Sequence, residues 1–173
     1  PSLLQLSNSA ASAVPGMVGR PGGYALAPGD WRNVTLTVEG RSLANESTVN
    51  RDISLVFGYV DDTHFYYAHL SRNSDGSLHT VIMKVEGSTR GTIHTPIATG
   101  STAGPLVSSA TNPVWQTLRV THDSTGAIAA YVDDMITPVL TANDTTYLVG
   151  RVGCGTFDDP AEFRSISVAG ERQ

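Results

Sequence analysis

The sequence lacks most of the features that specialise a chain. Cys154 is its one cysteine in 173 residues, so neither an intramolecular disulfide nor a multi-cysteine zinc site can form, and packing must supply the stability. No apolar run approaches the roughly 20 residues of a membrane-spanning helix, which argues against membrane insertion. Lys and Arg number 11 against 16 Asp and Glu, the formal net charge is -5, and neither sign gathers into a block. A nucleic-acid binder shows clustered basic residues and a high pI, so a pI near 5.4 speaks against that partner and against an anionic membrane surface. There is no repeat of 20 to 50 residues to suggest a propeller or solenoid. The chain opens at Pro1 and Ser2 without an initiator Met or a charged-then-apolar leader, and reads as a processed chain or an excised domain. Three N-x-S/T triplets, at Asn33, Asn45 and Asn143, are of a kind that arises by chance in Ser/Thr-rich β proteins.

What is present is a periodicity of two. In "NVTLTVEGRS", Val34, Leu36 and Val38 alternate with Thr35, Thr37 and Glu39, the mark of a half-buried strand. "DISLVFGYV" and "HFYYAHLSR" read alike, with "NSDGS" as a turn after them, and "LHTVIMKVEG" and "TIHTPIATG" follow. A Gly/Ser/Pro-rich loop from Ser101 to Pro113 leads to a hairpin of "VWQTLRVTHD" and "AIAAYVDD", whose Leu118, Val120, Ile128, Ala130 and Val132 share one face. "TYLVGRVGCGTF" and "EFRSISVAG" supply the last strands. Residues 1–30 read as an irregular leading segment, with "PGMVGRPGG" too rich in breakers for a helix and a short edge strand or helical turn around Leu3 to Leu6. Nine to eleven short strands without an amphipathic helix predict one all-β domain over residues 1–173, a two-sheet antiparallel jelly-roll sandwich.

From Asp61 to Gly170 the order of phrases adds to this: "YVDD" closing a strand behind a tryptophan-led one, then "VGCGTFDD", then "FRSISVAG". That order resembles the laminin-G-like and 3-keto-disaccharide-hydrolase-like domains of the concanavalin A-like lectin/glucanase superfamily, found widely in bacterial proteins of polysaccharide breakdown. The resemblance implies the sandwich fold, a carbohydrate partner bound on the concave sheet, and an extracellular or periplasmic location. Lectins, glycosidases, lyases and interaction modules share that scaffold, so it leaves the activity open.

In "HFYYAHLSR", Ala68 and Leu70 suit the inter-sheet core, which turns Tyr67 and His69 to the outer surface. There an aromatic face beside an imidazole can stack a sugar ring and hydrogen-bond its hydroxyls, or simply form a surface ladder pair. Arg119 faces away from the core between Leu118 and Val120, where it suits a carboxylate or sulfate of an acidic glycan or a cross-strand ion pair. Tyr131 and His79 complete the carbohydrate-contact set, with Lys84 as a weaker addition.

Chemistry is less legible. A lyase needs a Tyr or His base and a cation for the uronate carboxylate; Tyr67, His69 and Arg119 supply the types without a diagnostic spacing. A hydrolase needs two facing carboxylates, and no E-x-D-x-x-E array occurs. The pairs Asp61-Asp62, Asp133-Asp134 and Asp158-Asp159 read as turn formers or as oxygen ligands for calcium. Relatives carry an acidic pair where Arg164 and Ser165 stand here, and a cation beside Arg164 would meet a like charge. The expectation is therefore weak calcium binding or none at that end, no metal and no cofactor. Three functions stay open: a carbohydrate-binding or accessory domain, a lyase or hydrolase of an acidic or 3-keto sugar, and a protein-interaction sandwich.

Overall fold

The computed structural model describes residues 3–6, 21–93 and 103–173, and these contain twelve strands and no helix. In chain order they are β1 (Leu4–Leu6), β2 (Gly23–Leu26), β3 (Trp31–Ser42), β4 (Asp52–Asp61), β5 (His64–Ser71), β6 (Val81–Glu86), β7 (Thr89–Thr92), β8 (Gln116–His122), β9 (Ala127–Val132), β10 (Leu140–Asn143), β11 (Arg151–Thr156) and β12 (Ala161–Arg172). They form two six-stranded sheets. The first runs β1-β12-β3-β8-β9-β10 and the second β2-β11-β4-β5-β6-β7, with every neighbouring pair antiparallel.

The alternation in the sequence sets the register. Leu36 pairs with Val120 and Val38 with Leu118, while Val120 pairs onward with Ala130, so one continuous apolar face forms across β3, β8 and β9. It packs on Ile53, Leu55 and Phe57 of β4 and Tyr66, Ala68 and Leu70 of β5 from the opposite sheet. Each large side chain so enclosed contributes about 1.5–3 kcal/mol, which is how a chain with one buried cysteine and no disulfide is stabilised.

Two features differ from expectation, the number of strands and the cover on one outer face. The strand count exceeds nine to eleven because β2, β7 and β10 form where no strand was expected. β2 lies inside the segment read as irregular and is recruited by pairing with β11, where a Cβ on Gly153 would come within 2.0 Å of the Ala25 carbonyl oxygen. Glycine there lets the edge strand approach. The stretch at Leu3 to Leu6 resolves as a strand paired with β12. Most of "TIHTPIATG" lies outside the described residues. The second difference shapes the site: the outer face of the second sheet is itself covered. Val56, Tyr59, Phe65, Tyr67, Val81, Met83 and Val85 form a second buried cluster, with Tyr24, Leu26 and Phe157 packed against it.

Candidate ligand-binding site

At one end of the second sheet the start of β4, the end of β5 and the end of β11 lie side by side, Ser54 pairing with both His69 and Gly155. The connections leaving these strands enclose a cleft of about 270 Å³, lined by Asn50, Asp52, His69, Leu78, His79, Arg90, Phe157 and Asp158. Its aromatic wall is a stack: the rings of Phe157 and His69 lie 4.6 Å apart and 26° from parallel, with Tyr67 5.6 Å from Phe157 behind them. Arg90 crosses over Phe157 at 5.8 Å and donates to the Tyr67 hydroxyl at 2.9 Å.

The β5–β6 connection is held by Asp75. Its Oδ1 accepts from the backbone N–H groups of Ser77, Leu78 and His79 at 2.9, 2.8 and 2.9 Å, and its Oδ2 lies 2.5 Å from His79 Nδ1. Burial pushes the Asp75 carboxyl up, but these donors more than offset it and hold the group well below the usual carboxylate range. The loop thus presents the His79 ring, 5.7 Å from that of His69, in a fixed orientation.

Beside the cleft, oxygens of Asp52, Asp158 and Asp159 all lie within 4.8 Å of one another. At that separation, with an effective dielectric of about 20, each ionised pair repels by on the order of 3 kcal/mol. Burial, then the Asp52 and Asp158 charges, push the Asp159 carboxyl up to about 6. Local bonds enforce the crowding: Phe157 N–H donates to Asp52 Oδ1 at 3.2 Å, and the Thr156 hydroxyl donates to the Asp159 carbonyl at 2.7 Å.

The residues singled out from sequence separate into two groups. Tyr67, His69 and His79 come together at the cleft. Arg119 and Tyr131 sit opposite each other on the first sheet's outer face, where Arg119 Nε donates to the Thr37 hydroxyl at 3.1 Å. Trp115 lies on that side too, under Arg41 at 4.5 Å and Arg164 at 4.1 Å, whose charges are matched by Glu162 and Glu39. Lys84 is committed to Asp144 at 3.0 Å. The convergence of Tyr67, His69 and Arg119 that a lyase requires does not occur.

Tyr67 needs a further correction. Its ring has no exposed surface, so it has no face on which to stack a sugar, and burial pushes its hydroxyl up to about 12, far from a base near neutrality. Phe157, half-buried, lines the cleft wall beside it. The like-charge objection to a cation at the "FDD" turn also loses its premise, since Arg164 forms a two-point ion pair with Glu39, both contacts 3.1 Å, on the other sheet. Asp52, Asn50, Arg90 and Phe157 were missed. Phe157 and Asp158 stood visible in "GTFDD", but nothing local joins that turn to Asp52, 105 residues from Phe157.

No protein-family model matches the chain, and no curated protein does. Solved structures do. The carbohydrate-binding module CBM66 from Bacillus subtilis aligns over 85% of this chain and 81% of its own, at 16% identity and a TM-score of 0.60. A mutant of the GH43 protein BlXynB from Bacillus licheniformis aligns over 99% of this chain but 33% of its own, at 10% identity and a TM-score of 0.61. Galectin-Va from Xenopus laevis aligns over 87% of this chain and 96% of its own, at 14% identity and a TM-score of 0.53. Two six-stranded antiparallel sheets give the chain the concanavalin A-like sandwich fold that these proteins share.

Proposed function

We propose that the chain is an extracellular or periplasmic carbohydrate-binding domain that takes a small saccharide unit into the cleft between Asn50, His79, Arg90 and Phe157. One observation carries this reading: an aromatic wall of stacked Phe157 and His69 stands beside convergent side-chain donors and acceptors. That is the pairing a pyranose or furanose needs, with an apolar ring face and hydroxyls around it. A volume of about 270 Å³ suits one sugar residue, such as a chain end, better than an extended segment. A carbohydrate-binding module and a galectin among the structural neighbours support a glycan-related role.

Catalysis is served less well. A retaining hydrolase needs two carboxylates about 5 Å apart, both facing the substrate. The carboxylate spacing is met, but Asp159, whose raised pKa would suit an acid, does not line the cleft.

Glycan-array screening followed by calorimetry tests the proposal. Phe157→Ala is expected to weaken binding at least tenfold, while Arg119→Ala on the other sheet leaves it unchanged. Unchanged affinity in Phe157→Ala, or loss in Arg119→Ala, would move the site elsewhere. Reducing-sugar release from the bound glycan would favour the hydrolase.

A further inference from the structure

We propose that Arg72 marks a second subsite beside the cleft, which takes a carboxylate or sulfate carried by the next unit of the saccharide. The ligand class is then an acidic glycan whose unit seated in the cleft is itself neutral. This inference rests on the carbohydrate reading of the cleft and narrows it.

The first observation is placement. A second cavity, of about 280 Å³, is lined by Val49, Arg72, Asn73 and Ala103. It adjoins the cleft: Asn50, which follows Val49 in the chain, lines the cleft, and Asn73 Nδ2 donates to Asn50 Oδ1 at 3.1 Å. One hydrogen-bonded pair of side chains thus stands between the two openings. Among the described residues the Asn50 amide nitrogen makes no hydrogen bond, which leaves its two N–H groups at the boundary for a ligand. Val49 is 66% exposed and supplies apolar surface there.

The second is rigidity. The Arg72 N–H donates to the Arg51 carbonyl at 3.0 Å, and the Arg72 carbonyl accepts from the Gly104 N–H at 2.7 Å. The Thr80 hydroxyl donates to the Asn73 carbonyl at 2.7 Å, and a Cβ on Gly104 would lie 2.1 Å from the Ser71 carbonyl oxygen. The backbone that carries Arg72 is therefore fixed before any ligand arrives.

The third is charge. Arg72 is half-buried, yet among the described residues its guanidinium forms no ion pair and no hydrogen bond. Arg51 beside it is 3% exposed and is held by the carbonyls of Ser108, Glu46 and Thr48 at 2.8, 3.2 and 3.1 Å, not by a carboxylate. Burial, then the Arg72 charge, pull the Arg51 guanidinium below its usual value, against the Glu46 and Asp159 charges. The Glu46 carboxylate accepts from the Thr111 hydroxyl at 2.6 Å. A half-buried guanidinium without a counter-ion has lost part of its hydration uncompensated, and a carboxylate or sulfate supplies both the charge and the paired acceptors it lacks. The cleft, by contrast, carries Asp52 and Asp158 beside Arg90, so an anionic group seated there would meet like charges. This pattern sets the order of units: a neutral one against Phe157, an anionic one at Arg72.

The test is an array of matched neutral, uronate and sulfated oligosaccharides, followed by calorimetry on the full chain, Arg72→Gln and Phe157→Ala. Acidic members are expected to bind about tenfold more tightly than their neutral matches at about 0.1 M salt, and to lose most of that advantage near 1 M. A preference for uronate or for sulfate supports the proposal in either case and identifies the anion. Arg72→Gln should bind acidic and neutral members alike, at the parent's neutral affinity, and should melt within about 2 °C of the parent. No acidic preference in the parent, or one that Arg72→Gln leaves unchanged, would overturn the proposal. So would a melting temperature lowered by more than about 5 °C in Arg72→Gln, which would make the guanidinium a structural element. If Phe157→Ala weakens every member while Arg72→Gln changes no ratio, the cleft stands and the second subsite falls. If Arg72→Gln removes an acidic preference while Phe157→Ala alters nothing, the subsite stands and the cleft reading falls. Binding to no member removes both.

Discussion

Replacing Tyr66 with Phe removes one oxygen atom and keeps the ring, which makes it a clean probe of how the sandwich is locked at the Asp144 end. The Tyr66 hydroxyl donates to Asp144 Oδ1 at 2.5 Å and accepts from the buried Tyr147 N–H at 3.0 Å. The ring itself stacks on Phe57 at 5.3 Å and need not move. The lost bond to a carboxylate is worth about 1.5–3 kcal/mol, and a stranded buried N–H costs about 1–3 kcal/mol. The two losses share one atom and overlap, so the expected total is about 2–4 kcal/mol. For a chain of this length that lowers the melting temperature by about 5–15 °C.

The pH dependence carries a sign that checks the cause. Burial pushes the Asp144 carboxyl up, but Thr146, Tyr66 and Lys84 together hold it below its ordinary value of 3.8. A depressed carboxyl stabilises the folded state above the unfolded value and loses that contribution as pH falls toward the folded one. Urea unfolding at several pH values should therefore show the gap between parent and Tyr66→Phe at full size above about pH 5, then narrowing below pH 4. A loss under 1 kcal/mol at pH 7, or a gap that widens in acid, would refute the reasoning.

Gly153→Ala drives a Cβ to 2.0 Å from the Ala25 carbonyl oxygen and should cost about 3 kcal/mol, with amide exchange rising first along β2. Cys154 is buried, and burial pushes its thiol up to about 12, so thiol reagents should label it only at the rate of unfolding; fast labelling of the folded chain would contradict the packing. Asp75→Asn keeps the shape of the loop but loses the charge that holds His79, so it should weaken glycan binding severalfold with a smaller change in melting temperature, and equal affinities would remove His79 from the site.

How much of this was legible in the sequence depends on what each residue's neighbours in the chain report. The period of two in Val34, Leu36 and Val38, in Leu118 and Val120, and in Ile128, Ala130 and Val132 was enough to assign strands and choose their core-facing side, because the pleat makes facing a local property. Tyr66, Ala68 and Leu70 facing the core follow from the same rule. What covers the other face is not local. Tyr67 and His69 do point outward from the core, yet both are buried, with the Phe157 ring packed against each. Strand order is equally non-local. It placed Arg119 and Tyr131 on one sheet and Tyr67 and His69 on the other, with His79 on the connection that follows them, and it brought Asp52 against Asp158 and Asp159. The sequence determined which faces are apolar and that two sheets must pack. Only the tertiary structure decided which outer faces meet and which charges crowd, since those contacts join segments whose order in space is set by long-range strand pairing rather than by any pattern within one strand.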